Sequence, residues 1–142
     1  RIVMENNTIK HEIQIEAKRE KLDELLDMIR IDLSLMCCPM DKQISLEICV
    51  EEIFVNIASY AYGEQTGMVF ITEEVTDNSI SLCFRDKGIP YDPLAKEDPD
   101  TTLSAEEREI GGLGVFMVKT MMDSVTYEYK DGFNCLAMTM TW

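Results

Sequence analysis

The sequence predicts an α+β fold, a two-layer α/β sandwich in which a mostly antiparallel sheet carries its helices on one face. Three observations lead to this expectation: short β-rich runs joined by tight-turn signals, amphipathic helical stretches between them, and a composition close to that of ordinary globular proteins. The 142 residues are 46% hydrophobic and 28% charged, with 7 Gly and 4 Pro. This length suits one hydrophobic core, so we expect a single domain over residues 1–142.

The first half of the chain is predicted to be a strand followed by two helices. Residues 9–15 alternate in part between apolar and polar, and residues 18–36 show the apolar spacing of an amphipathic helix. Pro39 ends that helix, because proline lacks an amide hydrogen and restricts the residue before it. Asp41 is then the predicted N-cap of a second helix, which runs to about Tyr62.

Two hairpins are predicted in the second half, each made of two β-rich runs around a pair of turn residues. The runs are residues 68–76 and 79–85 around Asp77-Asn78, and residues 125–130 and 133–141 around Asp131-Gly132. Between the hairpins, residues 88–112 show no clear period apart from a capping-box signature at residues 104–107, and a third helix follows. The sum is about five strands and three helices, and the antiparallel hairpins argue against a doubly wound parallel sheet.

The charge balance excludes some classes of partner. The 13 Lys and Arg against 27 Asp and Glu give a net charge of −14, which repels phosphate backbones and anionic lipid surfaces. No stretch approaches the roughly 20 apolar residues of a membrane span, and the first residues lack the apolar region of a signal peptide. We therefore expect a cytoplasmic protein with no direct nucleic-acid or membrane partner. Its 5 cysteines lack CxxC spacing and are predicted to be buried thiols in a reducing compartment.

A carboxylate and an amide share one strip of the second helix. Glu52 and Asn56 lie roughly 40° apart around the helix axis and one turn from each other, whereas Glu51 projects about 140° away from Asn56. The strip is either the solvated seam of a mostly buried helix or a small polar site. In the second interpretation Asn56 supplies a neutral oxygen to Mg²⁺, and Glu52 is the general base beside it.

Asp86 falls in register with the core-facing side chains of its strand. Ile80, Leu82 and Phe84 occupy one face by alternation, and Asp86 continues that face. A partly buried carboxylate needs a donor, and the N6 amino group of adenine is a suitable one. Gly88 leaves room for a base to lie against the backbone. The competing interpretation is an ordinary Asp-x-Gly turn after a strand.

A glycine cluster precedes the third helix. Gly111-Gly112-Leu113-Gly114 is followed by unpaired helix amides at the positive end of the helix dipole, which suit an anionic phosphate group. The spacing matches neither a P-loop nor the three-glycine dinucleotide motif, and packing or a hinge is the alternative interpretation. Arg108 is the nearest basic residue for a phosphate.

The order of these three elements resembles the N, G1 and G2 boxes of the GHKL, or Bergerat-fold, ATPases. Their counterparts here are Glu52-x-x-x-Asn56, the run from Asp86 to Pro93, and the run from Gly111 to Gly114. The sequence is most similar to the branch of anti-sigma regulatory factors and serine/threonine kinases. The resemblance covers residues 9–142.

That resemblance implies ATP and Mg²⁺ as cofactors and a mobile lid at residues 91–110. It also implies two partners, a sigma factor and an anti-anti-sigma protein of the STAS type, which is phosphorylated on Ser or Thr. By the same resemblance Glu52 is the base for the hydroxyl and Asn56 is the Mg²⁺ ligand. The remaining candidates bind nucleotide: Asp86 and Gly88 the adenine, and Gly112, Leu113 and Gly114 the phosphates. Homodimerisation is a further family expectation.

Two other functions stay open at this point. One is a non-catalytic module that changes partners according to whether ATP or ADP is bound, and the other is a different role on the same fold, such as a phosphatase activator. A sensor histidine kinase is disfavoured because the only histidine, His11, lies on the first predicted strand. Pro90 replaces a glycine of other branches and is expected to stiffen the start of the lid.

Overall fold

Six strands form one antiparallel sheet in the computed structural model, which describes residues 2–5, 7–95 and 112–142. The order across the sheet is β1-β2-β3-β4-β6-β5. The strands are β1 (Ile2–Glu5), β2 (Thr8–Glu16), β3 (Met68–Val75), β4 (Ser79–Asp86), β5 (Ser124–Lys130) and β6 (Phe133–Thr141). The sheet and the helices packed on it confirm the predicted α+β sandwich.

Three α-helices lie in the part of the chain that the structure describes. They are α1 (Leu22–Leu35), α2 (Met40–Tyr60) and α3 (Gly112–Met121), with short 3₁₀ turns at Arg19–Lys21 and Pro93–Ala95. The helix predicted at residues 18–36 therefore divides into a 3₁₀ turn and α1. Both α1 and α3 contact α2, which is the central helix of the layer.

The core lies between the sheet and this helix layer. Along β4, residues alternate between buried and more exposed positions, as expected for a strand with one covered face. The helices contribute the following buried side chains: Leu25, Ile29 and Leu33 from α1, and Leu46, Val50, Ile53 and Phe54 from α2. Each fully buried side chain of this kind contributes about 1.5–3 kcal/mol of hydrophobic free energy.

Both predicted hairpins are confirmed. Asp131 and Gly132 have φ values of 55° and 82°, and two positive φ values in succession are what a type I′ hairpin turn requires. In the other turn, the amide of Asn78 donates to Thr76 Oγ1 at 3.2 Å. These turns fix the registers in which β3 pairs with β4 and β5 pairs with β6.

Strand β1 is not among the strands predicted from the sequence. This strand pairs with β2 at the edge of the sheet, so His11 lies on the second strand rather than the first. A strand of 4 residues places about two side chains on each face, which is too few to produce a recognisable alternation.

The predicted N-cap of α2 is wrong. The cap position is Pro39, whose carbonyl oxygen accepts from the amides of Lys42 and Gln43 at 3.1 and 3.0 Å. Asp41 lies inside the first turn, where its carboxylate still interacts favourably with the helix dipole. Proline is tolerated at this position because the backbone nitrogen of an N-cap makes no hydrogen bond within the helix, so the missing amide hydrogen costs nothing.

Burial of the cysteines differs in part from the prediction. All 5 are free thiols; Cys38 and Cys49 are buried, but Cys37 is exposed. Cys37 has a φ of 56° in the turn between α1 and α2, which directs the chain along the surface. Within the described residues, no helix is both long and apolar enough to cross a bilayer.

A buried polar cluster joins β2, β3 and α1. His11 Nδ1 and Asp32 Oδ2 form a hydrogen bond at 3.2 Å, and Glu73 on β3 is 3% exposed. Burial, together with the neighbouring carboxyl group of Asp32, raises the pKa of Glu73 to about 10. No motif in the sequence indicates this cluster, because its members come from three separate elements.

Candidate functional site

A cavity of about 530 Å³ opens between α2, α3 and the adjoining ends of β4 and β6. Its walls are mostly apolar, and its polar lining includes one carboxylate and two amides. The lining residues include Asn56, Ala61, Asp86, Ile89, Tyr91, Tyr127 and Asn134. A volume of this size lies within the roughly 300–1,000 Å³ typical of sites for small molecules and cofactors.

Asp86 is the carboxylate of this cavity. It ends β4 and is 4% exposed, which confirms the expectation from alternation that it faces the core side. Its Oδ1 accepts from the backbone amide of Gly88 and from Asn134 Nδ2, both at 2.9 Å. Its Oδ2 has no hydrogen-bond partner among the described residues, so the cavity offers one unused carboxylate oxygen.

Gly88 allows the chain to cross the end of α2 at very short range. A Cβ atom at this position would lie 2.2 Å from the carbonyl oxygen of Ala61. The same oxygen accepts a hydrogen bond from the amide of Ile89 at 2.9 Å. The glycine therefore serves close backbone packing beside the cavity, in addition to leaving that wall without a side chain.

Asn134 organises this end of the site and was missed by the sequence analysis. Besides Asp86, its Nδ2 contacts the carbonyl oxygens of Gly88 and Ile89 at 3.3 and 3.1 Å. Its Oδ1 accepts from the amide of Tyr91 at 3.1 Å and from the hydroxyl of Tyr127. The signal existed, because Asn134 lies in register with the buried side chains of β6.

Glu52 and Asn56 meet as predicted. Asn56 Nδ2 donates to Glu52 Oε1 at 3.1 Å, and Asn56 lines the large cavity. Glu52 instead lines a smaller adjoining cavity of about 260 Å³. Glu51 is exposed and also reaches that smaller cavity, but no hydrogen bond joins it to Asn56. The helix projection therefore separated the two glutamates correctly.

Gly114 brings α3 against the Glu52 carboxylate. A Cβ atom at Gly114 would lie 2.1 Å from Glu52 Cδ, so only glycine permits this approach. Arg19 and Met117 complete the same small cavity, and Arg19 also donates to Ser59 Oγ at 3.1 Å. The glycine predicted to contact phosphate thus lies next to the predicted base.

Cys49 and Tyr127, two ionisable groups near the site, keep their protons at pH 7. Burial, with a smaller contribution from the charge of Glu52, raises the pKa of Cys49 to about 11. Burial likewise raises the pKa of the Tyr127 hydroxyl, against the lowering effect of the Tyr91 amide. Tyr127 is therefore a neutral donor to Asn134 at pH 7.

Several predicted site residues lie outside the described residues. Arg108, Gly111, the capping box at residues 104–107 and most of the expected lid at residues 91–110 belong to this group. Gly112 and Leu113 form the start of α3, and only their backbone is described. Their expected phosphate contacts stay predictions.

The fold and cavity define a small-ligand-binding α+β domain, with a buried carboxylate at the end of a central strand and an amide on the central helix. The model of the family described as "Histidine kinase-like ATPase domain" matches residues 15–140. The chain belongs to this family of ATPase domains. This match confirms the resemblance to the Bergerat-fold ATPases.

Similar proteins carry the names of protein kinases. Serine/threonine-protein kinase BtrW of Bordetella bronchiseptica is 29% identical over 96 residues, covering 67% of this chain and 68% of that relative. Serine-protein kinase RsbW of Listeria monocytogenes is 29% identical over 92 residues, covering 61% and 59%. RsbW of Bacillus cereus is 26% identical over 131 residues, covering 87% and 82%. These names agree with the serine/threonine-kinase branch that the motifs resemble.

Proposed function

We propose that this chain is an ATP-dependent serine/threonine protein kinase that phosphorylates an anti-anti-sigma protein of the STAS type and also binds a sigma factor. The observation that carries the proposal is the hydrogen bond between Glu52 and Asn56. It joins a carboxylate in the smaller cavity to an amide in the larger one. The proposed base and the proposed cation ligand are thereby held together where the two cavities meet. The larger cavity is for ATP, and the smaller cavity is for the hydroxyl group of the partner protein.

The large cavity fits an adenine base. Adenine is flat and apolar on its faces, and its amino group needs an acceptor where it is buried. The unused Oδ2 of Asp86 is such an acceptor, and Oδ1 is held in place by Gly88 and Asn134. Asp86 therefore selects a base with an amino donor at its edge, and Gly88 leaves the adjoining wall open.

Asn56 fits the role of a Mg²⁺ ligand. Its Nδ2 is engaged by Glu52, which leaves Oδ1 for a cation, and an amide oxygen is a ligand that hard cations accept. When bound, ATP supplies the γ-phosphoryl group, and Mg²⁺ neutralises the charge that develops during transfer. Gly112, Leu113, Gly114 and Arg108 are proposed to hold the phosphates.

Glu52 is the proposed general base. Its carboxylate lies in the smaller cavity, where a serine or threonine hydroxyl of the partner would enter. There Glu52 accepts the hydroxyl proton as the hydroxyl oxygen forms its bond to the γ-phosphorus, and the bond from that phosphorus to the bridging β,γ-oxygen of ATP breaks to release ADP. The hydrogen bond from Asn56 fixes the direction of the carboxylate, so the proton acceptor is oriented before the partner binds.

The proposal keeps the remaining expectations of the family. Residues 91–110 act as the lid over the nucleotide, residues 1–142 act as one domain, and the protein works in the cytoplasm. A net charge of −14 then favours a partner with a basic docking surface, because complementary charge accelerates association.

The test compares Glu52→Gln with Glu51→Gln, using labelled ATP, Mg²⁺ and a STAS-type protein encoded beside this gene. We expect Glu52→Gln to retain ATP binding and to lose about 10²- to 10⁴-fold in phosphorylation rate, the usual contribution of a general base. Glu51→Gln is the matched control, because it removes the same charge from the same smaller cavity, but from a carboxylate that has no hydrogen bond to Asn56. Equal phosphorylation by wild type and Glu52→Gln contradicts the assignment of the base.

A second candidate function is a nucleotide-dependent partner-binding switch without catalysis. It is favoured by two exposed apolar stripes: Ile31 and Leu35 on α1, and Met40, Ile44 and Ile48 on α2. Large exposed apolar side chains in helical series are typical of surfaces that bind other proteins. The same surface is compatible with the homodimer that the family leads us to expect.

Partner binding separates this switch from the kinase. In the switch, the affinity for the partner differs between ATP and ADP, and no labelled product forms at any partner concentration. Ile44→Asp is expected to weaken that binding at least tenfold with ATP affinity unchanged, whereas Ser45→Ala leaves both unchanged. Formation of labelled STAS protein excludes a purely non-catalytic switch.

A further inference from the structure

A second group of convergent polar side chains lies away from both cavities. His11 on β2, Asp32 on α1 and Glu73 on β3 bring their ligand atoms within 4.8 Å of one another. None of the three lines either cavity of the candidate site. The side chains of Asp32 and Glu73 are 3% and 0% exposed, and that of His11 is 12% exposed.

Glu73 lies beside the carboxyl group of Asp32, a group of like charge that has no hydrogen to donate when it is ionised. Both carboxylate oxygens of Glu73 are buried without a hydrogen-bond partner among the described residues. Buried polar atoms are nearly always partnered, and an unpartnered carboxylate costs folding free energy. Glu73 Oε2 nevertheless lies 3.6 Å from His11 Nδ1, so the side chain is aimed into the cluster.

Two of the three spacings between these atoms match those of ligands around a small cation, and the third lies within 4.8 Å. Ligands held at about 2.0–2.2 Å from a tetrahedral metal ion lie about 3.3–3.6 Å from each other. His11 Nδ1 lies 3.2 Å from Asp32 Oδ2 and 3.6 Å from Glu73 Oε2. Three protein ligands from three elements also leave a fourth position for water.

The charges of the ligands favour a divalent ion. As ligands, a neutral imidazole and two deprotonated carboxylates carry a charge of −2, which a divalent ion balances in a region that excludes water, and the ion takes the place of the proton that burial keeps on Glu73 in the metal-free protein. Within these three ligands, the imidazole favours transition ions such as Zn²⁺ over Mg²⁺ and Ca²⁺, which prefer oxygen ligands throughout. The slight exposure of His11 provides a route of entry.

We propose that His11, Asp32 and Glu73 form a binding site for one divalent transition-metal ion of the Zn²⁺ class. The ion ties α1 to strands β2 and β3 at the edge of the core, and it satisfies the Glu73 carboxylate. The site is structural, since it lies away from the cavity that holds Asn56 and Asp86. It is also independent of whether the protein is a kinase or a switch.

The test is a Co²⁺ titration of tag-free, chelator-treated protein without nucleotide, followed by visible absorption. Wild type is expected to bind one equivalent and to develop d–d bands, without the thiolate charge-transfer band that cysteine ligands would give. Glu73→Gln is expected to weaken binding at least tenfold. Glu74→Gln is the matched control, because the neighbouring carboxylate is exposed on the other face of β3. Addition of Zn²⁺ should raise the melting temperature of wild type and Glu74→Gln only.

The melting curve of the metal-free protein shows whether Glu73→Gln folds. If Glu73→Gln does not fold, Asp32→Asn is the alternative variant that removes one metal ligand. Three results overturn the proposal: no binding by wild type, equal binding by wild type and Glu73→Gln, or a thiolate band that places Co²⁺ on cysteines. The first result would mean that Glu73 is buried as a neutral acid.

Discussion

Single glycines in this site serve two different physical purposes. At Gly114, an added methyl group meets the far end of the flexible Glu52 side chain, whereas at Gly88 it meets the backbone carbonyl of Ala61. A side chain can rotate away at low cost, but a helix backbone cannot. Substitution at the two positions therefore separates an effect on catalysis from an effect on stability.

Gly114→Ala is expected to preserve the fold and to impair phosphorylation. The methyl group displaces the Glu52 carboxylate, while alanine gains about 1 kcal/mol of helix propensity over glycine. Unfolding in urea should show a change in stability of less than about 1 kcal/mol, and phosphorylation of the partner should fall at least tenfold. Thr120→Ala, on an exposed position of α3, is the control. Full activity of Gly114→Ala would show that Glu52 need not occupy its present position.

Gly88→Ala is expected to lower the free energy of unfolding by about 1–3 kcal/mol, the usual cost of overpacking. The added methyl group must push the segment after β4 away from Ala61, which breaks the hydrogen bond from Ile89 to Ala61. Equilibrium unfolding in urea measures this change. A stability equal to that of wild type would contradict the close packing described here.

Thiol accessibility provides a third residue-scale prediction. At pH 8 an alkylating reagent should modify exposed Cys37 in the native protein and leave Cys49 unmodified. Cys49 is buried, and its pKa of about 11 keeps the thiol protonated at that pH. Peptide mass spectrometry after labelling identifies the modified residue. Rapid labelling of Cys49 would show that α2 separates from the sheet in the native state.

Among the secondary-structure elements, the end of β4 and the start of β6 act as one unit. Asp86 and Asn134 are direct partners in the register of these strands, and their side chains are hydrogen-bonded. Tyr91 and Tyr127 attach to the same asparagine from a loop and from β5. Two adjacent buried polar residues thereby position the wall of the cavity.

Asn134→Leu is expected to disrupt this unit. It removes the buried amide and leaves Asp86, Tyr91 and Tyr127 each short of a partner, so unfolding free energy should fall by about 2 kcal/mol or more. ATP affinity should fall with it, because Asp86 loses one of the two donors on its Oδ1. Thr126→Ala, exposed on β5, should change neither quantity. Unchanged unfolding and ATP titration of Asn134→Leu would contradict this role.

The local pattern of apolar, polar and turn residues predicts most of the helices and strands, and each feature that it does not predict has a physical reason. The hairpin turns and the placement of Asp86 followed from alternation and turn chemistry. The start of α2 was misplaced because Pro39 and Asp41 both suit a helix N-terminus, and only the hydrogen bonds to the Pro39 carbonyl decide between them. Asn134 continues the buried face of β6 as Asp86 continues that of β4, but an uncharged amide is a weaker signal of a site than a carboxylate.

In the molecule as a whole, residues that are distant along the chain come together in the fold, and the sequence alone does not reveal these contacts. Glu52 and Asn56 were paired correctly because they lie 4 residues apart on one helix. The cluster of His11, Asp32 and Glu73 forms only when β2, α1 and β3 pack together, and no spacing along the chain predicts it. The two cavities also form only in the folded chain. Asp86 lines the larger cavity and Glu52 the smaller one.

We expect Asp86 and Asn56 to line a pocket for ATP with Mg²⁺, and calorimetric titration of wild type, Asp86→Asn and Asn56→Ala measures this binding. Wild type should bind one ATP per chain in the presence of Mg²⁺. Asp86→Asn keeps Oδ1 but presents a donor in place of Oδ2, so its affinity should fall at least tenfold, and Asn56→Ala should lose the dependence on Mg²⁺. Absence of binding heat from wild type, or equal ATP affinity in all three proteins, would contradict this assignment of the pocket.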